Sequence, residues 1–337
     1  METVIRPIYE LVIAGKNVTD DVSPYVSSVE YIDRLEDESD EIQIVLDDIA
    51  GKWQSDWYPQ QGDNLMLKMG YLGAMMDCGL FEIDEIELRG PPDTLTVKAL
   101  AAAIMGEMRT QRSVAFENQS LNQIASAIAG RNGLRLTGDT SKLQDIQVGR
   151  RTQNEETDLA FLSGLAKEFG FIFSARGDQL VFLNPETLEA KDAIFTIERE
   201  NVSEYGFRDK TSDTFDAAEV SLRNVKTNEV VKWRLISDGD PTKKDTLIVG
   251  GRAENESQAE AKAKGALREK NKDKLTGSFS AIGNPLLVAG VNVEMSGFGQ
   301  FSGKWTVKET GHKISADGGY ATSVSLRKGP FKKNLNQ

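Results

Sequence analysis

Histidine and cysteine are the side chains that most readily do acid–base, nucleophilic or metal chemistry near neutral pH. This sequence has one of each, His312 and Cys78. His312 stands in an alternating stretch that reads as a strand, with no serine or cysteine motif to work with. A lone histidine there is far more often a packing or surface residue than a catalytic one. Cys78, in Met75-Met76-Asp77-Cys78-Gly79, has no CxxC partner and no basic neighbour to lower its pKa. A structural zinc needs about four Cys or His ligands, which the chain cannot supply. GxSxG, P-loop and GxGxxG patterns are absent, and Ser296-Gly297-Phe298-Gly299 reads as a glycine turn between strands. Paired carboxylates, as in glycoside hydrolysis, are the one constellation that composition leaves open. The densest cluster, Glu155-Glu156-Thr157-Asp158, opens a helix, where acidic side chains complement the macrodipole. Glu36-Asp37-Glu38-Ser39-Asp40 lies between two strand candidates and reads as an exposed loop. No catalytic, cofactor-binding or metal-binding residue is assigned, and no cofactor is expected.

The chain has 337 residues, enough for two or three domains, with 39% apolar and 27% charged residues, as in ordinary globular proteins. Asp and Glu number 52 against 40 Lys and Arg, a formal charge of −12. That balance argues against a nucleic-acid grip, which needs basic surface to displace phosphate counterions. It suits a solvated surface, or a channel wall to which polyanions must not adhere. One cysteine forms no intrachain disulfide. The start, Met1-Glu2-Thr3-Val4-Ile5-Arg6-Pro7, has no basic region followed by an apolar run, so no secretory signal is read there. The longest apolar candidate, Ala99 to Met105, is far short of the roughly 20 residues of a membrane span. A soluble cytoplasmic product, with no membrane partner, is expected.

The elements that would position any site change texture along the chain. Over 1–105, alternating runs predict strands at Ile8–Ile13, Val26–Ile32, Glu41–Leu46, Asn64–Met69, Gly79–Leu88 and Thr94–Leu100, with turns at Gln61-Gly62-Asp63-Asn64 and Gly90-Pro91-Pro92-Asp93. Over 106–200 a small α+β module is expected. The capping box Ser120-Leu121-Asn122-Gln123 opens one helix, and a second runs from about Thr157 to Phe169 with Phe161, Leu162, Leu165 and Phe169 buried and Gly170 as its stop. A hairpin, Phe171–Ala175 and Gln179–Leu183, follows. Strands return over 201–330, interrupted by one helix. There Ser257-Gln258-Ala259-Glu260 is a capping-box pattern, and Ala259, Ala263, Ala266 and Leu267 form a narrow face. Residues 331–337 are a polar tail.

The first and last regions read as copies of one unit. Gly62-Asp63-Asn64-Leu65-Met66-Leu67 matches Gly290-Val291-Asn292-Val293-Glu294-Met295, and Gly79-Leu80-Phe81-Glu82-Ile83-Asp84-Glu85 matches Gly303-Lys304-Trp305-Thr306-Val307-Lys308-Glu309. In both, the apolar phase is odd (Phe81, Ile83; Trp305, Val307) and then even (Ile86, Leu88; His312, Ile314). A period-2 strand changes phase only through a bulge or bend, expected here at the shared Glu85 and Glu309. Phe81 and Trp305 are then equivalent core positions. The fold class is α+β, mainly β: two related antiparallel β-barrel or sandwich domains with a small inserted module. A ring of n such chains would present 2n similar units, so a trimer could mate with a six-fold partner.

Three stretches resemble the late control D family of phage tail proteins. They are Leu67-Lys68-Met69-Gly70-Tyr71-Leu72 followed by Gly79 through Val97, with its Gly90-Pro91-Pro92 turn; Arg112-Ser113 through Ser120-Leu121-Asn122-Gln123-Ile124-Ala125; and Gln153-Asn154-Glu155-Glu156-Thr157-Asp158-Leu159-Ala160-Phe161-Leu162 through Phe169-Gly170. The resemblance implies a structural baseplate hub of a contractile tail, a bacteriocin such as an R-type pyocin, or an injection device, and not an enzyme. It implies a homotrimer of tube-like β-domains adapting a central spike to the six-fold tail tube. The tail tube protein, a tape-measure protein and baseplate wedge components are the implied partners, and a separate spike protein is implied because no room for an OB-fold, a lysozyme or a β-helical spike follows Pro330. Synthesis in the bacterial host cytoplasm is implied too. Ser120–Leu136 also resembles part of a LysM peptidoglycan-binding module, which makes a peptidoglycan-binding accessory protein the alternative. A cell-wall hydrolase ranks after it.

Overall fold

The computed structural model describes residues 6–36, 38–101, 106–223, 230–236 and 245–329. The polar tail 331–337 lies outside them. Strict alternation builds the first unit: β1 (Pro7–Ile13), β2 (Lys16–Asn17), a single helical turn α1 (Thr19–Val22), β3 (Val26–Arg34), β4 (Glu41–Asp47), β5 (Asn64–Tyr71), β6 (Ala74–Arg89) and β7 (Thr94–Ala101). In β5, Leu65, Leu67 and Met69 point inward with no exposure, while Asn64, Met66 and Lys68 face outward. The spatial order is β3-β4-β7-β6-β5-β1-β2, antiparallel throughout.

The inserted module holds β8 (Gln111–Ser120), α2 (Leu121–Arg131), β9 (Arg135–Gly138), α3 (Thr140–Gln144), β10 (Gln147–Thr157), α4 (Asp158–Phe169), β11 (Ile172–Arg176), β12 (Gln179–Leu183) and α5 (Pro185–Ala190). The expected capping box forms: Gln123 N–H donates to Ser120 Oγ, and Ser120 N–H donates to Gln123 Oε1. Helix α4 is capped by Thr157 and ends at Gly170 in the left-handed region (φ +75°). Its stripe Phe161, Leu162, Leu165 and Phe169 packs with Leu121, Ile124 and Ile128 of α2 and with Phe173, Leu180 and Phe182 of the β11–β12 hairpin.

The remainder comprises β13 (Ala193–Glu198), β14 (Glu204–Asp209), β15 (Ala217–Arg223), β16 (Val230–Ile236), β17 (Thr246–Ala253), α6 (Glu256–Asn271), β18 (Leu275–Ile282), β19 (Asn292–Ser296), β20 (Gly303–Ser315) and β21 (Gly319–Arg327). Strand β13 does not pair with the inserted module. It joins the large sheet, parallel to β19. Strands β15–β17 form a separate three-stranded sheet against α6, with a core of Ala218, Val220, Ala253, Ala259, Ala263 and Leu267. The cap of α6 is Asn255, whose Oδ1 accepts from Gln258 N–H, rather than Ser257. On another side of α6, Gly265 lets the helix approach the end of α4 closely. A Cβ on Gly265 would lie 2.6 Å from Gly170 N and 2.8 Å from Lys167 O.

The duplication holds at the level of register. Leu65 faces Phe81 and Val293 faces Trp305 across their ladders. Gly62 N–H donates to Ile83 O and Gly290 N–H to Val307 O, both at 2.9 Å. The Ile83 and Val307 N–H groups donate back to Asp63 O and Val291 O. The β6–β7 ladder slips between Ile83 and Glu85, and the β20–β21 ladder between Val307 and Glu309, the positions at which both sequences change phase. Phe81 and Trp305 are each 1% exposed. The two units do not close as barrels. They are open and sandwich-like, fused into one 13-stranded sheet because β20 of the second unit pairs with β3 of the first.

Candidate functional site

The residues that could have done chemistry are taken up by packing. His312 is fully buried; its Nε2–H donates to Leu287 O and its Nδ1 accepts from Tyr320 Oη, both at 2.8 Å. Burial pushes its pKa down to about 4. The sign follows from linkage: a histidine that titrates near 6.5 when unfolded and near 4 when folded stabilises the fold fully above about 6.5. That contribution, about 3 kcal/mol, is lost as pH falls toward 4. His312→Gln keeps one donor and one acceptor, so its thermal midpoint should fall less than the parent's between pH 6.5 and 4. Parallel midpoint curves would show that His312 does not titrate in this window. Cys78 is buried, and its thiol is pushed up by that burial and by nearby Asp77, Asp33 and Asp40. No group of three or more His, Cys, Asp or Glu among the described residues could hold a metal ion. Gly297 and Gly299 form the turn between β19 and the start of β20.

The acidic clusters depart from expectation in their burial. Asp158 has no exposure and is held by Arg131 Nε, Asn132 Nδ2 and Gln153 Nε2, each at 2.8 Å. Burial alone would raise its pKa, but these bonds hold it below the usual range. It ties α4 to the end of α2 and does more than face a helix dipole. The loop after β3, expected to be exposed, buries two of its carboxylates because both meet arginines from distant segments. Glu36 takes Arg268 of α6 at 3.1 Å and is also paired with Arg327 of β21. Against the raising effect of burial, these guanidiniums keep it below the normal carboxylate range. Asp40 lies 3.9 Å from Arg176, and its Oδ1 accepts from Arg34 N–H. Burial raises its pKa to about 6.

These carboxylates converge where the parts of the chain meet. Strand β3 pairs with β20 from Ser28–Ser315 to Arg34–Glu309, and Arg34 Nε reaches Glu309 Oε2 at 3.1 Å. Asp33, at the end of β3, accepts from Ala289 N–H of the second unit at 2.7 Å and meets Arg176 of the inserted module at 3.1 Å. Burial raises the pKa of Asp33, with Arg176 and the Ala289 N–H opposing it. A buried charge held from two sides is tolerated only while both partners stay in place. The arrangement therefore fixes geometry between the units. The element these contacts hold is the sheet edge at which one unit meets another.

The model of the phage tail baseplate hub (GPD) family matches residues 84–318. The chain belongs to this family. Two relatives in the hub family carry the description "probable baseplate hub protein". That of Escherichia phage 186 is 29% identical over 247 residues, which is 73% of this chain and 61% of the relative. That of Escherichia phage P2 is 31% identical over 180 residues, 53% of this chain and 46% of the relative. The chain thus matches between about half and three-fifths of the length of these relatives. Among solved structures, the 43 kDa tail protein of prophage MuSo2 from Shewanella oneidensis shares the fold, with a TM-score of 0.71 at 16% identity, covering 96% of this chain and 98% of that one. Local pattern could not reveal the β3–β20 junction of this hub-family chain, because its strands alternate like any half-buried strand and lie some 280 residues apart.

Proposed function

We propose that this chain is a structural subunit of a baseplate hub, a homotrimer that adapts a central spike to a six-fold tail tube. The observation that carries the reading is the pair of register-matched β units joined edge to edge in one polypeptide. Three chains then present six similar units to a six-fold partner. In this reading 1–105 and 201–330, with β13 added to their sheet, form the tube-like wall, and the rest of 106–200 is the inserted module. The spike, tail tube, tape-measure and wedge proteins are its partners, in a particle assembled in the host cytoplasm. With His312 and Cys78 buried in packing and Glu36 and Asp158 held by arginines, the chain works as a part and not as a hydrolase. Native mass spectrometry should find three copies, alone or with spike and tube proteins, and the purified protein should release no soluble fragments from peptidoglycan. Six copies in the assembled ring, or fragment release abolished by changing one carboxylate, would overturn this function.

A further inference from the structure

The two β units are alike, but only one of each matching pair of edges is filled. In the β3–β20 junction, residues 309–315 of β20 run antiparallel to residues 28–34 of β3, and Leu35 N–H closes the ladder on Lys308 O at 3.0 Å. The register carries this junction onto the other two edges. Glu309 corresponds to Glu85, since each follows the bulge on its strand. On the other side β14 corresponds to β3: Tyr31 faces Ile42, which faces Ala99, while Phe207 faces Gly277, which faces Leu326. Phe207 thus stands where Tyr31 stands, Arg208 where Ile32 stands, and Lys210 where Arg34 stands.

Neither corresponding edge has a neighbouring strand among the described residues. From Glu85 to Arg89, β6 pairs with β7 on one side and with no described strand on the other, and β14 pairs with β18 alone. The side chains bear the same mark. His312 is fully buried against Tyr31, whereas its counterpart Leu88 is 49% exposed. All of β14 except Phe207 is exposed, Tyr205 at 46% among it, although β3 is mostly covered. An unpaired strand with apolar side chains invites pairing with another chain.

We propose that β14 of a second copy of this chain adds to the free side of β6. The register sets Glu85 opposite Lys210, Ile86 opposite Asp209, Glu87 opposite Arg208, Leu88 opposite Phe207 and Arg89 opposite Gly206. This deepens the hub reading and rests on it. Two acidic residues then meet two basic ones, and the Glu85–Lys210 pair repeats, with the same sign, the Arg34–Glu309 bridge inside the chain. Glu85 and Glu87 already touch Lys98 and Arg89 at 3.0 and 2.8 Å, so the incoming cations extend pairs that exist. Because β6 and β14 are different surfaces, the contact is head to tail. Repeated around an axis it alternates first and second units, and a head-to-tail contact closes as a ring where its rotation divides the full turn evenly.

The test uses the full chain, in which the native thiol is buried. Glu87→Cys with Arg208→Cys, oxidised after assembly, should give covalent oligomers ending at the ring number. Glu87→Cys with Glu204→Cys, four residues out of register, should give none. Single charge reversals, Glu87→Arg or Arg208→Glu, should weaken self-association about tenfold, and the double reversal should restore it. Circular dichroism of each variant checks that the fold is intact. A ring that forms with its normal mass yet links only out of register, or is indifferent to both reversals, overturns the pairing and leaves the hub reading standing. Covalent dimers through Glu87→Cys alone would place two β6 edges together and also overturn it. A chain that remains monomeric even with spike and tube proteins defeats the hub reading itself.

Discussion

Truncating Trp305 to alanine should destabilise the protein by about 3–5 kcal/mol, and Phe81→Ala should cost a similar amount. Trp305 is 1% exposed, sits 5.3 Å from the Phe207 ring, and its indole N–H donates to Phe301 O at 2.7 Å. Phe81 is equally buried, edge-on to Tyr31 at 6.0 Å. Each truncation loses the transfer free energy of an aromatic ring and leaves a void that flanking strands, tied by their ladders, cannot fill. Urea unfolding monitored by circular dichroism measures both. The equivalence of the two positions is contradicted if one substitution costs that much and the other less than about 1 kcal/mol.

Glu36→Ala carries the second large effect, also about 3–5 kcal/mol. Arg268 and Arg327 are 6% and 2% exposed, so removing the carboxylate between them leaves two guanidiniums side by side with little water. Glu189 also acts on both arginines, but burial raises its own pKa, which makes it a poor replacement. The linkage sign is that of a depressed carboxylate: Glu36 stabilises above its unfolded pKa near 4.5, and the contribution fades as pH falls below that. The gap in denaturation midpoint between parent and variant should therefore be wide at pH 7 and narrow at pH 3. An equal gap at both values would show that the charge is not what matters. Because the cluster joins the loop after β3 to α6 and β21, its loss should also loosen the junction between the units.

Much of the fold is legible in the sequence because its strands are half-buried. Alternation marks β1 and β3–β7, and the phase change at Glu85 and Glu309 locates both bulges. The helices of the inserted module announce themselves through Ser120, Thr157 and Gly170. What escaped depends on distant partners. Nothing near Ala193–Glu198 says that it will lie parallel to β19, and nothing near Ala217–Arg223 separates β15–β17 from the large sheet. Glu36 and Asp40 look like solvated charges until Arg268 and Arg176 are brought against them. The junction itself is legible only in part: the duplication announces two matching units, but the edge on which they meet is a tertiary choice.

Cryo-electron microscopy of the assembled particle, viewed down the tail axis, tests the hub reading most directly. Three chains should surround the axis, their six β units alternating first and second around a continuous ring. Six chains in that ring, or a single copy lying off the axis, would contradict it.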